Sequence, residues 1–126
     1  METKNINRIT TAFINDKSPV MDLINEDFLS SGIDVVFRSN NIAEGNNQLS
    51  SLTTLPDICI VDLDFSDKNI IKQLRELRDQ YPTLKLLVHS DIDNENIIKE
   101  LSGLGFLKYV LIGDDVKKAV DGLVNG

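Results

Sequence analysis

The chain has 126 residues, a net charge of −7, 41% hydrophobic and 26% charged residues, which is the composition of one soluble globular domain. Its 13 basic residues are scattered, which argues against a nucleic-acid-binding surface because phosphate binding needs clustered Lys and Arg. No apolar run approaches the roughly 20 residues of a membrane-spanning helix, and the single cysteine, Cys59, excludes an internal disulfide and a cysteine-ligated zinc.

The first predicted strand and helix are joined by an acidic turn. Residues 8–14 are apolar and β-prone, and the predicted strand runs directly into Asn15 and Asp16. Apolar residues at intervals of four then predict a helix over 19–30 that stops at Gly32. The first strand therefore ends in a carboxylate.

The second strand and helix follow the same order with a less regular pattern. Residues 33–39 predict a short strand, and 40–52 carry apolar residues at helical spacing. Gly45, Asn46 and Asn47 lie in the middle of that helix and disfavour it. We therefore expect a frayed or partly irregular second helix.

The third strand is the part of the chain around which the candidate site is organised. Within 55–66, the four residues Ile58–Val61 form a continuous apolar run, as expected of a strand buried on both faces of a parallel sheet. The run ends at Asp62, and Asp64 follows two residues later. An apolar stripe then predicts a third helix over 68–81. This strand delivers an acid to the carboxyl edge of the sheet, where ligands bind in open α/β folds.

The remainder of the chain repeats the pattern twice. Residues 84–89 predict a strand that terminates at Ser90, followed by a helix over 94–102. Residues 106–112 predict a fifth strand, and 113–115 open a last helix. Five β-α units with short connections predict an α/β domain with a parallel sheet and helices on both faces.

Side chains at the strand ends suggest a magnesium site. In a five-stranded sheet of this kind the first and third strands are neighbours, so Asp16 and Asp62 are expected to lie together. Two nearby carboxylates repel unless a cation lies between them, and Mg²⁺ selects such oxygen ligands. With the hydroxyl of Ser90 at the rim, the chemistry suits phosphoryl transfer onto a carboxylate.

With these residues the chain resembles a response-regulator receiver domain, the module that a histidine kinase phosphorylates on an aspartate. The resemblance covers 8–124 and implies one flavodoxin-like (βα)5 domain over 1–126 with strand order 2-1-3-4-5. In the segment PDICIVDL, Asp62 matches the phosphoryl acceptor. Asp16 matches the second acid of the family's metal-binding pair, and Asp64 matches the residue whose backbone carbonyl completes the Mg²⁺ shell.

Spacing extends the resemblance to the residues that sense the phosphoryl group. Ser90 lies 28 residues after Asp62, where the family has a Thr or Ser, and this spacing is similar to that of receivers from LuxR/NarL-type regulators. Tyr109 falls on the aromatic switch position of the family, although a plain half-buried aromatic is the structural alternative. His89, just before Ser90, is expected at the rim of the site rather than as a ligand.

The chain departs from the family at positions that matter for phosphorylation. The lysine that pairs with the phosphoryl group is replaced by Ile112, the first acid of the pair by Asn15, and the small residue after Ser90 by Asp91. One lost charge-assisted contact to a phosphoryl group is worth about 1.5–3 kcal/mol. We therefore expect a site that responds poorly to phosphorylation.

Two functional hypotheses remain open. The first is an atypical receiver in a two-component phosphorelay, in which Asp62 accepts a phosphoryl group from a histidine kinase or phosphotransfer protein, with Mg²⁺ held by Asp16, Asp62 and the carbonyl of Asp64. The second is a pseudo-receiver that acts by protein contact or homodimerisation through the face of helix four, strand five and helix five. A flavin or nucleotide binder is a weaker option, since no glycine-rich phosphate loop follows the first strand.

The expected setting follows from the same features. The start of the chain lacks the apolar core of a secretory signal, and a lone cysteine fits a reducing compartment. We expect a cytoplasmic signalling domain that is not an enzyme and that contacts neither nucleic acid nor membrane by itself.

Overall fold

The computed structural model of the chain describes residues 9–16, 19–63, 69–90, 95–103, 108–111 and 115–125. Five strands alternate with five helices in chain order: β1 (Thr10–Ile14), α1 (Val20–Ser30), β2 (Asp34–Arg38), α2 (Ile42–Ser50), β3 (Ile58–Asp62), α3 (Ile70–Gln80), β4 (Leu86–Ser90), α4 (Glu95–Gly103), β5 (Lys108–Leu111) and α5 (Val116–Asn125).

The strands form one parallel sheet in the order β2-β1-β3-β4-β5. This confirms the predicted flavodoxin-like fold and its strand order. β3 and β4 are buried at every position, because central strands of a parallel sheet are covered by helices on both faces. The order places the carboxyl ends of β1 and β3 side by side.

Helices cover the two faces of the sheet unequally, with separate apolar clusters beneath them. The larger cluster packs α2, α3 and α4 against one face through Ile42, Leu49, Ile70, Leu74, Leu77 and Leu101. The smaller packs α1 and α5 against the other through Met21, Phe28, Val116 and Val120. In the smaller cluster the rings of Phe13 and Phe28 meet edge to face at 5.6 Å.

The predicted elements are all present, and their ends differ by a few residues. The main difference is α2, which was expected to be irregular and is a regular helix. Its N-cap residue, Asn41, accepts a hydrogen bond from the backbone N–H of Glu44 at 2.7 Å. The carboxylate of Glu44 accepts in turn from the backbone N–H of Asn40 at 3.1 Å. These reciprocal bonds stabilise the start of the helix.

β2 contains a bulge that changes the direction of its side chains. Thr11 pairs with Val35 and Ala12 with Phe37, so Val36 is an extra residue on β2. As a result Val35 packs with the cluster under α1 and α5, whereas Phe37 packs with the opposite cluster. In a regular strand these two side chains would share a face.

Across the described ranges, none of the helices combines the length and hydropathy needed to span a bilayer.

Candidate functional site

The structure brings the predicted residues of the three central strands to one edge of the sheet. Asp62 is the last residue of β3, Ser90 is the last residue of β4, and Asn15 and Asp16 directly follow β1. Asp62 is 6% exposed and Ser90 is fully buried. Both side chains are therefore largely shielded from solvent.

Asn15 fastens β1 to β3 at this edge. Its backbone has a φ of +61°, a left-handed conformation that Asn adopts more readily than most residues. The side-chain Nδ2 donates a hydrogen bond of 2.8 Å to the backbone carbonyl of Asp62. An aspartate could not donate this bond, so the asparagine that departs from the family's acidic pair has a structural role here.

Asp16 is bonded to the neighbouring strand on its other side, β2. Its backbone N–H donates to the carbonyl of Ser39 at 2.7 Å, and its carboxylate accepts a hydrogen bond from Nε of Arg38. Nη2 of Arg38 donates to Oδ1 of Asp22 on α1 at 2.6 Å. The hydrogen bonds that Arg38 donates to these two carboxylates raise the pKa of Arg38 above its ordinary range, the bond to Asp16 being the larger cause.

The bulge in β2 explains why Arg38 reaches Asp16. Beyond the bulge Arg38 pairs with Phe13, whose side chain belongs to the cluster under α1. The guanidinium carbon of Arg38 lies 5.7 Å from the centroid of the Phe13 ring, within the range of a cation–π contact. Without the extra residue, alternation along the strand would direct Arg38 to the opposite face.

Asp62 is bonded to the strand on its far side, β4. Its Oδ1 lies 3.2 Å from Nδ1 of His89, the residue paired with it across β3 and β4. With the carboxylate ionised, Nδ1–H is the donor. His89 is 1% exposed, so it is a buried partner of Asp62 and not the rim residue expected from the sequence.

The described residues at this edge are committed to contacts with one another. Among the described residues, no three or more His, Cys, Asp and Glu side chains are grouped so as to hold a metal ion. One position of the expected acidic pair is Asn15, and the other, Asp16, is already neutralised by Arg38. The carbonyl of Asp64 lies outside the described residues. The magnesium site stays a prediction.

Of the remaining predicted residues, the structure describes only Tyr109. Tyr109 is a half-buried residue of β5 that packs against the larger cluster, and its role as a switch stays a prediction. Ile112 and Asp91 lie outside the described residues.

Two features of the site were not predicted from the sequence. One is the residue Arg38, and the other is the contact between His89 and Asp62. Arg38 is the last residue of a strand that the predicted order places beside the first. A basic residue at that strand end, next to Asp16, is a signal that could have indicated the ion pair. The contact of His89 follows from its register with Asp62, which the strand boundaries alone did not give.

The chain is similar in structure to receiver domains of response regulators. The isolated REC domain of RcsB from Salmonella enterica serovar Typhimurium matches with a TM-score of 0.81 and 20% identity, over 95% of this chain and 91% of that chain. A response regulator from Thermotoga maritima gives 0.79 and 20%, over 94% and 99%. A LuxR-family regulator from Aurantimonas sp. SI85-9A1 gives 0.79 and 18%, over 95% and 87%. A longer RcsB chain is covered over 61% of its length.

No family model and no curated protein matches the chain. At these identities the similarity establishes the receiver fold and does not extend to the activity of any one neighbour.

Proposed function

We propose that this chain is a receiver-type signalling domain that acts through protein contacts without phosphorylation of Asp62. The observation that carries this proposal is the ion pair between Asp16 and Arg38. In a phosphorylatable site, carboxylates beside the acceptor hold a cation that neutralises the transferring oxygens. Here one of them is an asparagine, and the other is engaged by an arginine of the same chain.

The surroundings of Asp62 support the same conclusion. A nucleophilic carboxylate must approach the phosphorus in line, but Asp62 is 6% exposed and its Oδ1 is bonded to His89. The residue at the family's lysine position is Ile112, so the sequence offers no cation there to detect a phosphoryl group. Both the acceptance of the group and the response to it are expected to be weak.

The proposed activity is then the binding of a protein partner by the fold itself. The face that the resemblance indicates comprises α4, β5 and α5, and the partner is a second copy of the chain or another signalling protein. Such a domain would regulate its partner by binding it, without a change in its own phosphorylation.

A phosphorylation assay tests this proposal. The protein is incubated with acetyl phosphate and Mg²⁺, and its intact mass is measured beside a receiver domain that acetyl phosphate is known to label. We expect no gain of a phosphoryl group, because the pocket does not neutralise the incoming charge. Asp62→Asn, in which the acceptor oxygen is lost, is the matched control.

The second candidate function is phosphoryl acceptance at Asp62 from a histidine kinase or phosphotransfer protein. It is favoured by the position of Asp62 at the carboxyl end of β3, with Ser90 at the end of the adjacent strand. A gain of one phosphoryl group in the wild type that is lost in Asp62→Asn would establish this second function and reject the first.

A further inference from the structure

We propose that Arg38 is a built-in counter-ion that closes the acid pocket, the part of the site around Asp16 and Asp62, to divalent cations. Removal of Arg38 would open this pocket to them. This inference rests on the proposed function and deepens it, because it names the residue that keeps the pocket closed. Neither the sequence pattern nor the fold comparison assigns a role to this arginine.

The geometry of the guanidinium supports the proposal. Nε is bonded to Asp16 and Nη2 to Asp22, so one cation joins a carboxylate of the β1 turn to one on α1. The planar fork of arginine can satisfy two carboxylates at once, with directed hydrogen bonds that a point charge lacks. A metal ion that used Asp16 would have to share its carboxylate with the guanidinium or displace it.

The surroundings of Arg38 hold it in place. Its guanidinium lies over the Phe13 ring, and the bulge at Val36 fixes the face of β2 from which it projects. The Asp16 side chain is only 7% exposed, whereas the Arg38 side chain is 32% exposed. The carboxylate is therefore screened poorly by solvent, and its interaction with the arginine is correspondingly strong.

The two acids are also bonded to opposite flanks of the site. Asp16 is bonded to β2 through Arg38 and Ser39, and Asp62 is bonded to β4 through His89. Between them, the amide of Asn15 is committed to the backbone of Asp62. Divalent coordination requires carboxylate oxygens that are available to the ion, and each of these two acids is bonded to a side chain of a different flanking strand.

A metal titration without any phosphodonor tests the inference. Mn²⁺ is the probe, and the free ion is measured by electron paramagnetic resonance while protein is added. Arg38→Gln is expected to bind Mn²⁺ about tenfold or more tightly than the wild type, because a carboxylate loses its internal cation. Adding Asp16→Asn to Arg38→Gln should abolish the gain.

The matched control is Arg75→Gln. It changes the net charge by the same step, from −7 to −8, at an exposed position of α3, and should leave Mn²⁺ affinity as in the wild type. Arg38→Met retains the aliphatic stem over Phe13 and serves as a second variant if Arg38→Gln folds poorly. Circular dichroism verifies the fold of each protein.

Two results would overturn the inference. One is equal Mn²⁺ affinity in the wild type and the folded Arg38 variants. The other, which needs no variant, is selective line broadening by Mn²⁺ of the NMR signals of the Asn15 side-chain amide in the wild type. Because no phosphodonor is present, these outcomes are independent of whether Asp62 can be phosphorylated.

Discussion

At the scale of single residues, the site depends on contacts that the receiver resemblance does not contain. Asn15 stands where the family has an acid, and it both adopts a left-handed backbone and bonds the carbonyl of Asp62. The sequence was sufficient to place Asn15, Asp16 and Asp62 at neighbouring strand ends. A basic residue at the end of the second strand was a signal for an ion pair with Asp16. The sequence did not show from which face of β2 Arg38 projects, because that depends on the bulge at Val36.

Substitution of Asn15 separates the two parts of its role. Asn15→Gly keeps the left-handed φ but removes the buried amide and its hydrogen bond to Asp62 and makes the unfolded chain more flexible, so we expect a loss of about 1–2 kcal/mol in the free energy of unfolding. Asn15→Ala adds the strain of a Cβ at positive φ, so the loss should be about 2–3 kcal/mol. Urea denaturation measures both, and an alanine variant as stable as the glycine variant would contradict this account.

At the scale of elements, α2 illustrates how tertiary contacts override local propensity. Residues at its centre disfavour a helix. The helix nevertheless forms, because the side chains of Asn41 and Glu44 accept hydrogen bonds from backbone N–H groups at its start. In addition, Gly45 allows the helix to approach the sheet closely. A Cβ on Gly45 would lie 2.9 Å from Oγ of Ser39 and 3.0 Å from Cγ1 of Ile14. The residue that weakens the helix is the one that lets it dock.

Two glycine substitutions should therefore have opposite signs. Gly45→Ala is expected to lower the free energy of unfolding by about 1–3 kcal/mol, because overpacking against Ser39 and Ile14 outweighs the gain in helix propensity. Gly122→Ala in α5, where an added Cβ meets nothing within 4 Å, should raise it by about 0.5–1 kcal/mol. Thermal and urea unfolding measure both, and stabilisation by Gly45→Ala would show that α2 can move away from the sheet.

At the scale of the whole molecule, the α/β class could be predicted because every strand and helix except α2 has a clear period and the connections are short. The run Ile58–Val61 predicted a strand buried on both faces, and β3 is buried throughout. What the pattern could not give was register, since a shift of one residue in β2 changes which side chains face the site. The strand order was therefore predicted from the receiver resemblance, whereas the contacts of the site depend on the register of β2 and could not be predicted.

The central position of β3 has a consequence for stability at high pH. Burial raises the pKa of the Cys59 thiol from 9.0 to about 12, with Arg78 opposing the shift. The unfolded chain therefore loses this proton first, and stability falls as pH rises between about 9 and 12, by about 1 kcal/mol per pH unit. Below pH 9 the thiol is protonated in both states and contributes no slope.

Comparison with Cys59→Ala isolates this effect from other groups that titrate in the same range. The advantage of the wild type over the variant in free energy of unfolding should shrink steadily above pH 9. Urea denaturation at pH 8, 9, 10 and 11 measures it. A difference that stays constant over these pH values would show that the thiol is not shielded as the structure indicates.

The irregular pairing of β2 also affects how the molecule behaves in a crowded solution. β2 lies at one border of the sheet, where unsatisfied backbone groups can recruit a strand from another molecule. The unpaired Val36 breaks the even spacing that such recruitment requires, although its side chain is 44% exposed. We therefore expect the β2 edge to be a poor template for fibril growth, even though the apolar side chain of Val36 is exposed there.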